Sequence, residues 1–261
     1  MIICFTGTGN SRIVADRLQE KLGDEILRLP PGLMSDPSRA KINVPDGRII
    51  WVFPVHGWNM PHVARKVLLE STFVTHGEVL NYMVCTCGDD IGYTDREWRR
   101  LVQKRGWKDL AAFSVQMPNT YIAIRGFDVD APEVVQSKLE AMPGRVDAIA
   151  DFIDGHPTDV HTDVVHGSWP GVKTSVMYHL FRKFFFDHRK FCVIDACTGC
   201  GRCARNCPIQ NITIQNGRPL WHRDCIMCLR CYHLCQHHAI RYGSQGDGKG
   251  QYLAPGYILN S

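Results

Sequence analysis

The chain has 261 residues, 44% hydrophobic and 21% charged, a balance that suits a folded globular protein with one good core and room for a small second unit. A formal charge of +4 is too mild to argue for nucleic acid. No stretch has the length of a membrane span, and Met1-Ile2-Ile3-Cys4-Phe5 lacks the charged start of a secretory signal, so a cytoplasmic protein is expected.

From the N-terminus, Ile2-Ile3-Cys4-Phe5 is a buried-strand pattern that runs straight into Thr6-Gly7-Thr8-Gly9-Asn10-Ser11. A helical pattern follows, apolar at Ile13, Val14, Leu18 and Leu22 and closed by Gly23. A glycine loop at a helix start is a phosphate cradle. A P-loop would need Lys-Ser/Thr after its glycines, and the dinucleotide fingerprint would need a third glycine where Arg12 stands. What remains is a loop whose hydroxyls (Thr6, Thr8, Ser11), amide (Asn10) and backbone N–H groups can hold a phosphate monoester at the positive end of a helix. Its glycines also fit a plain tight turn. The six residues resemble the FMN phosphate loop of flavodoxins, Ser/Thr-x-Thr-Gly-Asn-Thr/Ser, and that resemblance implies FMN held by Thr6, Gly7, Thr8, Gly9, Asn10 and Ser11.

Strand patterns at Ile2 to Phe5, Glu25 to Leu29, Arg48 to Phe53, Val79 to Thr86 and Leu110 to Gln116 alternate with helical ones at Ser11 to Leu22, Pro61 to Ser71, Tyr93 to Arg105 and Pro132 to Phe152. The expectation is an α/β fold, a flavodoxin-like doubly wound parallel sheet of order 2-1-3-4-5, with its ligand beyond the carboxyl ends of the strands. The loops after the third and fourth strands lie there. By position Pro54, Val55, His56, Gly57, Trp58 and Asn59, and Cys87, Gly88, Gly92 and Tyr93, look like the flavin-contacting loops of flavodoxins. Trp58 competes as an interdomain packing residue, and His56 is a candidate proton donor or a rim residue. Asp89 and Asp90 would disfavour a second phosphate, and so FAD, or form a solvated loop. Met117-Pro118-Asn119-Thr120-Tyr121 reaches the same edge, where the segment closes over the flavin or simply ends a strand, and Tyr121 is a further catalytic candidate.

After Asp154 comes a loop rich in His, Thr, Gly and Pro, and a helical pattern resumes at Val172. Val172, Val176, Leu180 and Phe184 form one apolar row and Met177, Phe181 and Phe185 the next, opposite Lys173, Arg182, Lys183, Arg189 and Lys190. Packing between two units is favoured over a membrane surface for this helix.

Cys197, Cys200, Cys203 and Cys207 recur 28 residues later as Cys225, Cys228, Cys231 and Cys235, each block spaced C-x2-C-x2-C-x3-C. That is the spacing of bacterial iron–sulfur proteins, in which the fourth cysteine of a block ligates the other cluster. Two [4Fe-4S] centres are expected, one on Cys197, Cys200, Cys203 and Cys235, the other on Cys207, Cys225, Cys228 and Cys231. Structural zinc is disfavoured because three thiolates crowd one short turn, and disulfides because nothing suggests export. The other four of the twelve cysteines lie in or beside apolar runs; Cys4, Cys85 and Cys192 read as buried small hydrophobes, Cys87 as a loop amide. Short strands are expected at Phe191 to Ile194 and Ile240 to Tyr242, and a hairpin joining Ile212-Thr213-Ile214 to Pro219-Leu220-Trp221 across Asn216-Gly217. The stretch from Phe191 to Tyr242 resembles two-cluster bacterial-type ferredoxins, departing where Cys235 is followed by Gln236 instead of proline.

The reading divides the chain into an FMN-binding unit (1–154), a linker with the amphipathic helix (155–190), a small α+β two-cluster unit (191–243) and a tail (244–261) whose Gly-rich start is flexible and whose apolar end can dock. The combination resembles the fused flavodoxin/ferredoxin proteins of anaerobic bacteria and archaea, which implies an iron–sulfur flavoprotein of an oxygen-poor cell interior. Electron transfer between the clusters and FMN, with a separate redox partner protein or small-molecule acceptor, is the leading expectation. The alternatives are an FMN-dependent reductase of a small organic acceptor and a non-enzymatic redox sensor. No nucleic-acid partner is expected, and oligomeric state is not indicated.

Overall fold

Along the first strands the buried residues alternate between two faces, so a single sheet has to carry helices on both. In the computed structural model, which describes residues 1–45, 47–243 and 248–257, that is the architecture. The order is β1 (Ile2–Cys4), α1 (Asn10–Leu22), β2 (Ile26–Arg28), α2 (Pro31–Ser35), β3 (Lys41–Val44), β4 (Arg48–Pro54), α3 (His62–Glu70), β5 (Thr72–Thr75), β6 (Leu80–Cys87), α4 (Thr94–Lys104), β7 (Lys108–Gln116), α5 (Pro132–Asp154) and β8 (His161–Asp163). Six strands form one sheet in the order β2-β1-β4-β6-β7-β8, every neighbouring pair parallel.

On one face Ile3, Phe5, Trp51, Phe53 and Met83 pack with Val67, Trp98 and Leu101 of α3 and α4. On the other, Ile2, Cys4, Val52, Val84 and Phe113 pack with Leu18 of α1 and Ile149 of α5. Helix α1 stops where Gly23 turns left-handed (φ 72°) and donates its N–H to Gln19 O at 2.9 Å. The sheet has one strand more than the five expected. His161–Asp163, inside the stretch read as linker, pairs with Ala111–Phe113 at the sheet edge, and its three exposed residues carry no apolar run to betray a strand. Two further short strands, β3 and β5, pair with each other.

The linker helix is composite: α6 (Pro170–Val172), a π-helical turn over Lys173–Met177, and α7 (Tyr178–Phe185). Only part of its expected apolar face is covered. Phe181 is buried, whereas Val172, Val176, Met177, Leu180 and Phe184 are exposed. Beyond it lie β9 (Phe191–Val193), α8 (Arg202–Arg205), β10 (Ile212–Gln215), β11 (Arg218–Trp221), α9 (Arg230–His233) and β12 (Ile240–Tyr242). Strands β9 and β12 pair, and the β10–β11 hairpin closes on Asn216 and Gly217, both at positive φ as a tight turn of this type requires.

The cysteine-rich part is not separate from the sheet. Ile122 and Ala123, in the loop after β7, are buried in the same cluster as Phe191, Ile212, Trp221, Leu229 and Tyr242. Residues 248–257 of the tail also dock; Ser244 to Asp247 and Ile258 to Ser261, where part of the flexible start and of the apolar end was expected, lie outside the described residues. Cys4, Cys85 and Cys87 are buried, but Cys192 is exposed, because alternation on β9 turns Phe191 inward and its neighbour out. Among the described residues no helix is long and apolar enough to cross a membrane.

Candidate functional site

The loop between β1 and α1 presents an anion cradle. The backbone N–H groups of Thr6, Gly7, Thr8, Asn10 and Ser11 make no hydrogen bond among the described residues, while Gly9 N–H donates to Thr6 Oγ1 at 3.0 Å. Arg230, from the second cysteine block, donates from Nε to Gly7 O (2.7 Å) and from a terminal nitrogen to Thr6 O (2.6 Å). In a trans peptide the carbonyl and the following N–H point opposite ways, so these two bonds turn the N–H groups of Gly7 and Thr8 away from the guanidinium.

The cradle opens into a cavity of about 380 Å³ lined by Thr6, Gly7, Thr8, Asn10 and Ser11, by Pro54 to Trp58, by Cys87 to Asp90, and by Pro118 to Tyr121. Lys173, Phe181 and Phe186 close one side, and Met227, Cys228 and Leu229 another. Four expected contacts lie elsewhere. Gly9 faces the tail, where an added Cβ would stand 2.8 Å from Ala254 Cβ. Asn59 is buried and turned back, its Oδ1 accepting from Met60 N at 2.9 Å. Gly92 and Tyr93 sit under the linker helix: a Cβ on Gly92 would meet Thr174 Oγ1 at 2.6 Å, and Tyr93 N–H donates to that oxygen at 2.8 Å. The side-chain donors of Asn10 and Ser11 are also engaged, Asn10 Nδ2 with Pro118 O (2.8 Å) and Ser11 Oγ with Thr86 Oγ1 (2.8 Å), leaving their backbone N–H groups for an anion.

Both catalytic candidates line the cavity. His56 packs edge-on to Phe5, and desolvation pushes its imidazole down to about 4, so it is neutral at pH 7. The Tyr121 hydroxyl is buried without a partner among the described residues, and burial raises its pKa. Trp58 lines the cavity and meets Phe181 of the linker helix edge-on. Asp90 is neutralised by Lys173 at 2.5 Å, so it is not a bare charge at the rim. Unpaired N–H groups at a helix start, flat apolar walls and one orphaned hydroxyl suit a planar ligand carrying a phosphate.

The eight blocked-out cysteines divide between two further cavities. Cys197, Cys200, Cys203 and Cys235 line one, and Cys207, Cys225, Cys228 and Cys231 the other. Backbone N–H groups reach the two crossing sulfurs in the same way, Asn211 N to Cys207 Sγ at 3.2 Å and Ala239 N to Cys235 Sγ at 3.4 Å. Four thiols around each cavity, the last from the other block, fit a cubane better than a single ion.

A family model described as a 4Fe-4S dicluster domain matches residues 196–240. This part of the chain is a ferredoxin-like iron–sulfur domain. A search of curated proteins returned no match to the chain.

Contacts between the iron–sulfur domain and the sheet were not legible in sequence. A Cβ on Gly7 would stand 2.9 Å from Cys228 O, so the glycine is needed as much for this approach as for any ligand. His233 Nε2 meets Thr120 O (2.8 Å) while its Nδ1 accepts from Tyr252 N (3.2 Å), tying domain, loop and tail together. Tail residues Ala254, Tyr252 and Lys249 bind Thr8 O, Asn10 Oδ1 and the carbonyls of the 122–127 loop. The only forewarning was the apolar content of the tail.

Proposed function

We propose that the chain is an iron–sulfur flavoprotein passing single electrons between two [4Fe-4S] centres and an FMN in the 380 Å³ cavity, in exchange with a separate redox partner. The observation that carries this reading is that Cys228 belongs to the wall of both the second cysteine cavity and the cavity above the phosphate-type loop. When bound, the clusters would supply one-electron steps and FMN the conversion between one- and two-electron chemistry.

The chain's own residues supply the rest. The N–H groups of Gly7, Thr8, Asn10 and Ser11 and the start of α1 hold the phosphate. Trp58, Phe181 and Tyr121 offer aromatic surface, and Met227 and Leu229 exclude water from the side facing Cys228. His56, neutral at pH 7, offers a hydrogen bond without adding charge. The first block faces outward, with Cys200 exposed, which suits the entry or exit of electrons there.

The test is an anaerobic reductive titration of the purified protein with iron and flavin assayed on the same sample. About eight irons and one FMN per chain, with the flavin reduced through the clusters, is the expected result. Full iron without flavin overturns the FMN assignment.

A further inference from the structure

On the far side of Thr6 from the cavity just described lies another, of about 310 Å³, between the ends of β1 and β2 and the two cysteine blocks. Four arginines line it, Arg12 from α1, Arg28 from the end of β2, Arg205 from α8 and Arg230 from α9, and no Asp or Glu does. Their charge is poorly balanced. Asp16 serves two of them, Arg28 at 2.7 Å and Arg12 at 3.4 Å. Among the described residues Arg205 and Arg230 hydrogen-bond only to neutral backbone carbonyls, those of Cys200 and of Thr6, Gly7 and Asn206. The lining also holds the apolar Leu29, Pro30, Pro31 and Met34, and the Tyr257 ring lies 5.7 Å from the Arg12 guanidinium and 5.5 Å from that of Arg230.

We propose that this cleft is a second ligand site, for a small organic anion bearing phosphate or carboxylate groups on a compact apolar body. Arginines from four separate elements line one concavity of small-molecule size, and planar guanidinium forks pair with two oxygens at once. Arg28 and Arg205 are exposed, and each would exchange its present partner, Asp16 or Cys200 O, for such a ligand, whereas Arg230 is held by the phosphate-type loop. The site shares Thr6 with the neighbouring cavity but uses the opposite side of the loop. It does not depend on FMN.

Calorimetric titration of the full chain, saturated with FMN so that the other cradle is not the one measured, tests the assignment with inorganic phosphate and phenyl phosphate as probes. One site per chain is expected, with phenyl phosphate bound several-fold tighter than inorganic phosphate because of the apolar lining residues. The Arg28→Gln/Arg205→Gln double variant should lose at least tenfold in affinity. Asp16→Asn should gain several-fold, because it removes the one carboxylate that competes for two of the arginines. If the arginines serve only to balance the charge of the adjacent cluster, the wild type takes up no probe, or the double variant binds as well as the wild type; either result overturns the proposal. If the protein takes up no FMN, the same titration without flavin is expected to retain the Arg28- and Arg205-dependent site, so the two readings fail separately.

Discussion

The two cysteine blocks share one spacing and one local fold, yet they face different surroundings. In the first, the left-handed positions are glycines, Gly199 and Gly201, and Cys200 is exposed. In the second the same positions are Met227 and Leu229, held at φ 52° and 57° and buried to 4% and 3% exposure. A non-glycine residue there costs on the order of 1 kcal/mol or more of backbone strain. The second block bears that strain because its side chains fill the contact with the cavity over the β1–α1 loop. Arg202 and Arg230, equivalent by the repeat, differ likewise: Arg202 lines the outer cluster cavity, and Arg230 grips Thr6 O and Gly7 O. One half of the repeat faces solvent at Cys200, and the other meets the loop between β1 and α1.

Removing one thiolate from each block breaks the comparison most severely. Cys228→Ser is expected to lose the cluster beside the shared wall and to slow flavin reduction by an external one-electron donor at least tenfold. Cys200→Ser should lose the outer cluster with a smaller effect on electrons delivered directly to the inner one. Iron content and stopped-flow flavin absorbance check both, and unchanged kinetics in the two variants would refute the intramolecular route.

Next come the left-handed positions. Leu229→Ala keeps the strain and empties a buried site, for an expected loss of about 2–5 kcal/mol, whereas Gly201→Ala adds only about 1 kcal/mol of strain. Anaerobic denaturant unfolding of the holoprotein separates them.

A smaller effect is expected at the paired arginines. Arg230→Ala removes two charge-assisted bonds to the loop, each contributing about 1.5–3 kcal/mol to folding stability, and the loosened loop should weaken FMN binding about tenfold, while Arg202→Ala leaves it unchanged; a flavin fluorescence titration reads this out.

The smallest effect concerns pH. The His56 imidazole lies at about 4 in the folded chain against 6.5 when free, so the unfolded chain binds more protons between those values. Stability present above pH 6.5 is therefore expected to fall as pH drops towards about 4, by roughly 1–2 kcal/mol once the ring's partial exposure is discounted. His56→Gln should flatten the urea midpoint across that window.

Local chemistry decided much of this protein before any folding. Cysteine spacing points to an iron–sulfur domain because three thiolates on one tight turn suit three corners of a cubane, and the period-two and helical patterns name strands and helices of the sheet because each must bury one face. The hairpin at Asn216-Gly217 was legible for the same reason, since its turn type demands those residues. Tertiary structure alone decided what meets across the chain. That Gly9 serves the tail and Gly7 the Cys228 carbonyl, that Asn59, Gly92 and Tyr93 turn away from the cavity, and that His161–Asp163 joins the sheet depend on partners far off in sequence. So does the convergence of Arg12, Arg28, Arg205 and Arg230 on one cleft. Spacing and periodicity record what a residue's own element requires, and they are blind to which distant surface will press against it.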